Sequence, residues 1–126
     1  MLFPGEQLAQ EISTRFRART GAPLVYVVGT MWLGGNIGHY AADHPRNLID
    51  GDPRRAPWID LGDLAVSGGV VVWTTGDPDT IPEPYVAVAG DAAVQPPITL
   101  PMRRGTGQLT VGWAIIPPVR QAASGP

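Results

Sequence analysis

The chain has no cysteine and no lysine, only three serines and two histidines, and no long run of apolar residues. Without cysteine there is no disulfide framework, no thiolate metal site and no cysteine nucleophile. The redox compartment stays open, because a domain of this size folds without cross-links in either setting. Without lysine, all nine basic residues are arginine, set against eleven acidic ones. The resulting net charge of −2 and pI near 5.5 give no basic footprint of the kind a nucleic-acid binder carries. The longest apolar stretches are Leu24–Val28, Val70–Trp73 and Val111–Ile116. All fall well short of the ~20 residues that a membrane-spanning helix needs. Met1-Leu2-Phe3-Pro4 lacks the basic start and apolar segment of a signal peptide. The chain as written therefore reads as a soluble domain, which leaves open that it is one piece of something larger.

The scarce residue types exclude more chemistry. Ser13, Ser67 and Ser124 all stand outside G-x-S-x-G, so the hydrolase nucleophile elbow is missing. His39 and His44 are five apart, about 140° around a regular helix. Two ligands on one helical face need a spacing of three or four, so neither a metal nor a cofactor is expected.

What is present is breakers and apolar residues. The 126 residues are one domain's worth, and 44% are hydrophobic, enough for one core. Sixteen glycines and fourteen prolines, roughly twice average usage, rule out a long coiled coil or an all-helical bundle.

Periodicity then orders the elements. Glu6–Arg19 reads as an amphipathic helix with Leu8, Ile12 and Phe16 on one stripe, and Glu11 and Arg15 spaced to pair. Its C-terminal arginines suit the helix dipole and a solvated helix end, and Gly21 suits a cap. Leu24–Val28 is a continuous β-branched run, as in a strand buried on both faces. Trp32–Ala42 reads as a helix with Leu33, Ile37, Tyr40 and Ala41 inward. Gly34, Gly35 and Gly38 weaken it by ~1 kcal/mol each, which points to close approach of a neighbouring element. Arg46–Asp50 is a short strand, and Asp60 caps a short helix, Leu61–Val66, with Leu61, Leu64 and Ala65 inward. Val70–Trp73 is a third buried strand; Glu83–Ala89 fits either helix or strand. Ile98–Met102 and Gln108–Ile116 form a hairpin around Arg103-Arg104-Gly105.

This alternation predicts an α/β fold: a small three-layer sandwich, its sheet mixed but mostly parallel, with helices on both faces and a C-terminal antiparallel hairpin. Residues 1–118 form the domain, and 119–126 read as a frayed tail.

In open α/β sheets ligands sit at the carboxyl ends of strands. Here those ends are Gly29–Asn36, Asp50–Asp52 and Thr74–Asp79. The first is a glycine-bearing strand-to-helix turn whose amides suit an anion, yet it spells neither G-x-G-x-x-G nor a phosphate loop. Asp50 and Asp52 flank a glycine, which fits a turn as well as paired carboxylates. Arg103-Arg104 suits either a bidentate phosphate grip or a solvated hairpin tip. Trp73 and Trp113 fall in strands and read as core. Trp32 and Trp58 fall in or beside loops, where an indole can serve a ligand.

A longer pattern runs through these segments. It comprises Thr30-Met31-Trp32-Leu33-Gly34-Gly35-Asn36, His39-Tyr40, Leu48-Ile49-Asp50-Gly51-Asp52-Pro53 and Pro57-Trp58-Ile59-Asp60, then Pro101-Met102-Arg103-Arg104-Gly105 and Val111-Gly112-Trp113. It resembles the C-terminal soluble segment of bacterial polytopic membrane glycosyltransferases. These are the dolichyl-phosphate-mannose-protein mannosyltransferase-like family, or family 39 glycosyltransferases. The resemblance covers most of Phe3–Pro118.

It implies a periplasmic appendage on the outer side of the inner membrane, partnered by the transmembrane portion of its own parent chain. In that family the membrane portion is catalytic and takes sugar from a polyprenyl-phosphate donor. The catalytic acid lies in a loop between early membrane helices, and nothing here corresponds to it, so no catalytic residue carries over. The expected role is that of an accessory domain that caps the membrane core or helps to hold donor or acceptor. The expected ligand contacts, chosen because they cluster at or near the predicted strand ends, are Trp32, Asn36, His39, Tyr40, Asp50, Asp52 and Trp58, rings stacking on sugar faces and polar groups orienting hydroxyls. The alternatives are an independent small α/β binding or structural module and, less favoured, a stand-alone hydrolase.

Overall fold

The computed structural model describes residues 5–101 and 107–119. Helix α1 (Gly5–Thr20) leads into strand β1 (Tyr26–Gly29), helix α2 (Met31–Tyr40), strand β2 (Arg46–Ile49), helix α3 (Leu61–Ser67) and strand β3 (Gly69–Trp73). A 3-10 turn (Glu83–Tyr85) runs into the one-turn helix α4 (Val86–Ala89), followed by strands β4 (Ala93–Pro101) and β5 (Gln108–Ile116). The five strands lie in the order β2-β1-β3-β5-β4. Strands β2, β1 and β3 are mutually parallel, and β5 and β4 continue the sheet antiparallel as a hairpin. The expected α/β sandwich with a mixed sheet is therefore the observed fold.

Strands β2 and β3 flank β1 on opposite sides. Two right-handed crossovers leaving in opposite directions put α2 and α3 on opposite faces. Side-chain alternation follows suit. Val27, Val70, Val72, Trp113 and Ile115 pack with α1 and α2. Val28, Val71, Trp73, Ala114 and Ile116 pack with Leu64 of α3, Tyr85, Ala89 and the loop residues Ala56 and Ile59. Each central strand is buried on both faces, which is why these stretches read as unbroken apolar runs.

The helix ends hold as expected. Leu8, Ile12 and Phe16 are fully buried, Glu11 and Arg15 pair at 3.2 Å, and Gly21 caps α1 with φ +72°. Arg17 is not merely solvated: it grips Asp43 with two bonds of 2.6 and 2.8 Å. Asp43 also accepts from the Leu24 amide at 3.0 Å, so one carboxylate ties α1, the approach to β1 and the α2–β2 loop together. Two of the three α2 glycines answer to close approach. A side chain at Gly34 would collide with Asn47, and one at Gly38 would lie 2.7 Å from the Pro45 carbonyl oxygen, whereas Gly35 faces open space.

Several expectations are corrected. Tyr40 is 44% exposed rather than inward, because α2 ends there and buried Ala41 already has extended backbone. On α3 only Leu64 is buried; Leu61 and Ala65 stay at the surface, since a seven-residue helix presents a single inward position here. Glu83–Ala89 is helical throughout, opened by Pro84 in its first turn. Strand β4 starts at Ala93, five residues before the expected Ile98, and its register breaks between Gln95 and Ile98. Pro96 and Pro97 there carry no N–H for the ladder, while the Pro96 carbonyl accepts the Trp113 indole N–H at 3.0 Å. The tail from Gln121 and the hairpin tip with Arg103 and Arg104 lie outside the described residues. Val119, the first residue of the expected tail, donates its amide to the Val66 carbonyl at 2.7 Å.

Candidate functional site

The carboxyl edge of β1 and β2 is built from two turns. On the first, Thr30 caps α2, its hydroxyl accepting from the Leu33 amide at 3.1 Å. Trp32 follows in the first helical turn, 52% exposed. Asn36 stands one turn on and donates its side-chain amide to the Trp32 carbonyl at 2.7 Å. On the second, Asp50 takes left-handed backbone with φ +56°, rare for a residue with a side chain, and Gly51 continues it at +68°.

Two bonds hold the turns side by side. The Asp50 amide donates to the Gly29 carbonyl at 2.8 Å, and the Asn47 side-chain amide donates to the Thr30 carbonyl at 3.1 Å. The buried Asn47 Oδ1 has no hydrogen-bond partner among the described residues.

The carboxylates are committed to neighbouring guanidinium groups. Asp50 pairs with Arg55 at 2.6 Å, and Asp52 with Arg54 at 3.3 Å. Hydrogen bonds from the Arg54 side chain and then its backbone amide hold the Asp52 carboxyl below the usual range. Asp52 is therefore not placed as a raised-pKa general acid. Tyr85 underlies this turn, its ring where a side chain on Gly51 would otherwise go. Burial, then the Asp50 charge, push its phenol up. Tyr85 was missed in the sequence; the only signal was Gly51, whose positive φ and missing side chain make room for the ring.

The other expected contacts fall elsewhere. His39 and Tyr40 are at the far end of α2, about 10 Å along the axis from Trp32 at 1.5 Å per residue. They meet edge to face, with ring centroids 4.7 Å apart at 79°. The parallel strands place them at the amino edge of the sheet, so they are not part of the same surface as Trp32 and Asp50. Trp58 is 59% exposed on the loop to α3, between buried Ala56 and Ile59, over the face opposite α2. The structure thus joins Trp32, Asn36, Asp50 and Asp52 through adjoining turns, and separates His39, Tyr40 and Trp58 from them.

A groove of about 610 Å³ opens between α3 and α4, lined by Leu61, Leu64, Ala65, Val88, Ile116 and Val119 among others. Its lining is mainly aliphatic, with Asp91 at one side. Sequence periodicity did not reveal it, because α4 is a single turn and the facing residues are far apart in the chain. Among the described residues there is no group of three or more His, Cys, Asp or Glu able to hold a metal ion. No described helix is long and apolar enough to cross a membrane. Comparison with protein families, curated proteins and solved structures finds no match to this chain.

Proposed function

We propose that this chain is an extracytoplasmic accessory domain of a polytopic membrane glycosyltransferase using a polyprenyl-phosphate sugar donor, not catalytic on its own. Its partner is the transmembrane portion of the parent chain, and its place is the periplasmic side of the inner membrane. The observation that supports this reading is the pairing of the Trp32 and Asp50 turns at the carboxyl edge. An exposed indole offers an apolar face to the C–H face of a sugar ring. The Asp50–Arg55 and Asp52–Arg54 pairs beside it offer acceptors and donors to hydroxyls without bringing net charge. Trp32, Asn36, Asp50 and Asp52 form the contact surface in this reading; His39, Tyr40 and Trp58 do not share it.

The test has two arms. Incubated with a polyprenyl-phosphate sugar and a peptide or lipid acceptor, the isolated chain transfers no sugar. Titrated with mannose and other hexoses, it shows saturable shifts of the Trp32 indole and the Asp50–Arg55 amides, which Trp32→Ala abolishes. Robust transfer by the isolated chain, or a full-length reading frame without membrane helices, overturns the proposal. The aliphatic groove favours a second reading, an independent α/β ligand-binding module, and that same reading frame separates the two.

A further inference from the structure

A second cavity, of about 410 Å³, lies at the amino edge of β1 and β2, away from the Trp32 turn. Its polar walls are Tyr26, Asp43, His44, Arg46 and Asp63. Tyr26 and Arg46 are partners in the parallel β1–β2 register, so their side chains stand on the same face of the sheet, the face that α3 covers. Asp63 comes from α3 and accepts the Tyr26 hydroxyl at 2.6 Å. His44 holds left-handed backbone, φ +48°. One of its ring nitrogens, Nδ1, donates to the Gly38 carbonyl at 3.2 Å.

The charges of this cavity divide unevenly. Asp43 is neutralised by its two-bond grip on Arg17. Arg46 forms no ion pair with Asp63 or any other described residue. Asp63 has hydrogen bonds from Tyr26 and Ser67 but no cationic partner among the described residues. One cation and one anion therefore face the same space without meeting each other. A simple anion would satisfy Arg46 while being repelled by Asp63, and a simple cation the reverse. A neutral polyol would leave both charges uncompensated.

We propose that this amino-edge cavity binds a small zwitterion, its anionic group on Arg46 and its ammonium on Asp63. The shared chemistry is an ammonium a few bonds from a carboxylate or a phosphate monoester, as in an α-amino acid or a phosphoethanolamine group. Bidentate acceptance of the guanidinium orients the anionic end. The tyrosine hydroxyl fixes the Asp63 carboxylate that receives the other. This site is independent of the carboxyl-edge surface and of the function proposed for it.

The test is titration of the ¹⁵N-labelled full chain with L-alanine and with O-phosphoethanolamine, beside acetate, methylammonium and glucose. At least one zwitterion is expected to give saturable shifts at Val25, Tyr26, His44, Arg46 and Asp63. Acetate and methylammonium should bind at least tenfold more weakly, and glucose should give no saturable shift. The tighter zwitterion distinguishes a carboxylate source from a phosphate source. Arg46→Gln, at an exposed position, and Asp63→Asn should each weaken binding at least tenfold. The proposal is overturned by flat titrations with both zwitterions. Acetate or glucose binding as tightly, or unchanged affinity in Arg46→Gln, also overturns it.

Discussion

Tyr26 donates its hydroxyl to Asp63 Oδ2 at 2.6 Å, and this one bond fastens α3 to the first strand of the sheet. The tyrosine ring is buried at 3% exposure, while Asp63 sits at the surface on a helix with only one buried residue, Leu64. A short helix so lightly anchored depends on its polar clasp more than a long amphipathic one would.

Tyr26→Phe should therefore loosen α3 with little change elsewhere. Losing a hydrogen bond to a charged acceptor costs about 1–3 kcal/mol. Urea denaturation should show a lower midpoint with an unchanged slope, and amide exchange should quicken in α3 before it quickens in β1.

The same bond sets an alkaline limit. The bond to Asp63, then burial, push the Tyr26 phenol up from 10.0 to about 12. A pKa raised on folding means that the folded chain favours the neutral phenol. The associated stability is intact below pH 10, the unfolded value, and is lost as pH climbs towards 12. Denaturation midpoints across that window should fall in the wild type and stay flatter in Tyr26→Phe.

The α2 glycines allow a contrast within one helix. Gly38→Ala puts a methyl 2.7 Å from the Pro45 carbonyl oxygen, a backbone atom with little room to yield. It should destabilise by about 1–3 kcal/mol, the usual cost of overpacking. Gly35→Ala meets nothing within 4 Å and should stabilise by about 0.5–1 kcal/mol through helix propensity. Thermal melts of the two variants should move in opposite directions.

Asp43→Ala should cost more than Arg17→Ala. Removing the arginine leaves a partly exposed carboxylate that water can solvate. Removing the carboxylate also takes the acceptor from the Leu24 amide, and an orphaned, part-buried donor costs about 1–3 kcal/mol. Paired denaturation curves would expose the asymmetry; equal losses would mean that the ion pair alone carries the effect.

The sequence was most informative where one face or both faces of an element are dry. Val70–Trp73 and Leu8, Ile12 and Phe16 leave no other reading, because burial imposes a period that composition reveals. Legibility failed where the partner is distant in sequence. Nothing near Gly34 tells that Asn47 will occupy the space its missing side chain leaves, and nothing near Tyr26 names Asp63. For the candidate site, the strand-end rule found Trp32 and Asp50 but also admitted His39 and Tyr40. Those two follow Trp32 closely in the chain, yet two helical turns carry them to the opposite edge. The amino-edge cavity escaped because its walls come from β1, β2, α3 and the α2–β2 loop, with no shared spacing to mark them.

The outermost strand also governs how copies of this domain meet. Pro96, Pro97 and Pro101 of β4 offer no N–H along that margin of the sheet. The opposite margin, β2, is four residues long and opens on the charged Arg46. Prolines on one border and a short strand with a charged start on the other blunt both edges against ladder extension, so crowding many copies together offers a poor template for fibrous growth.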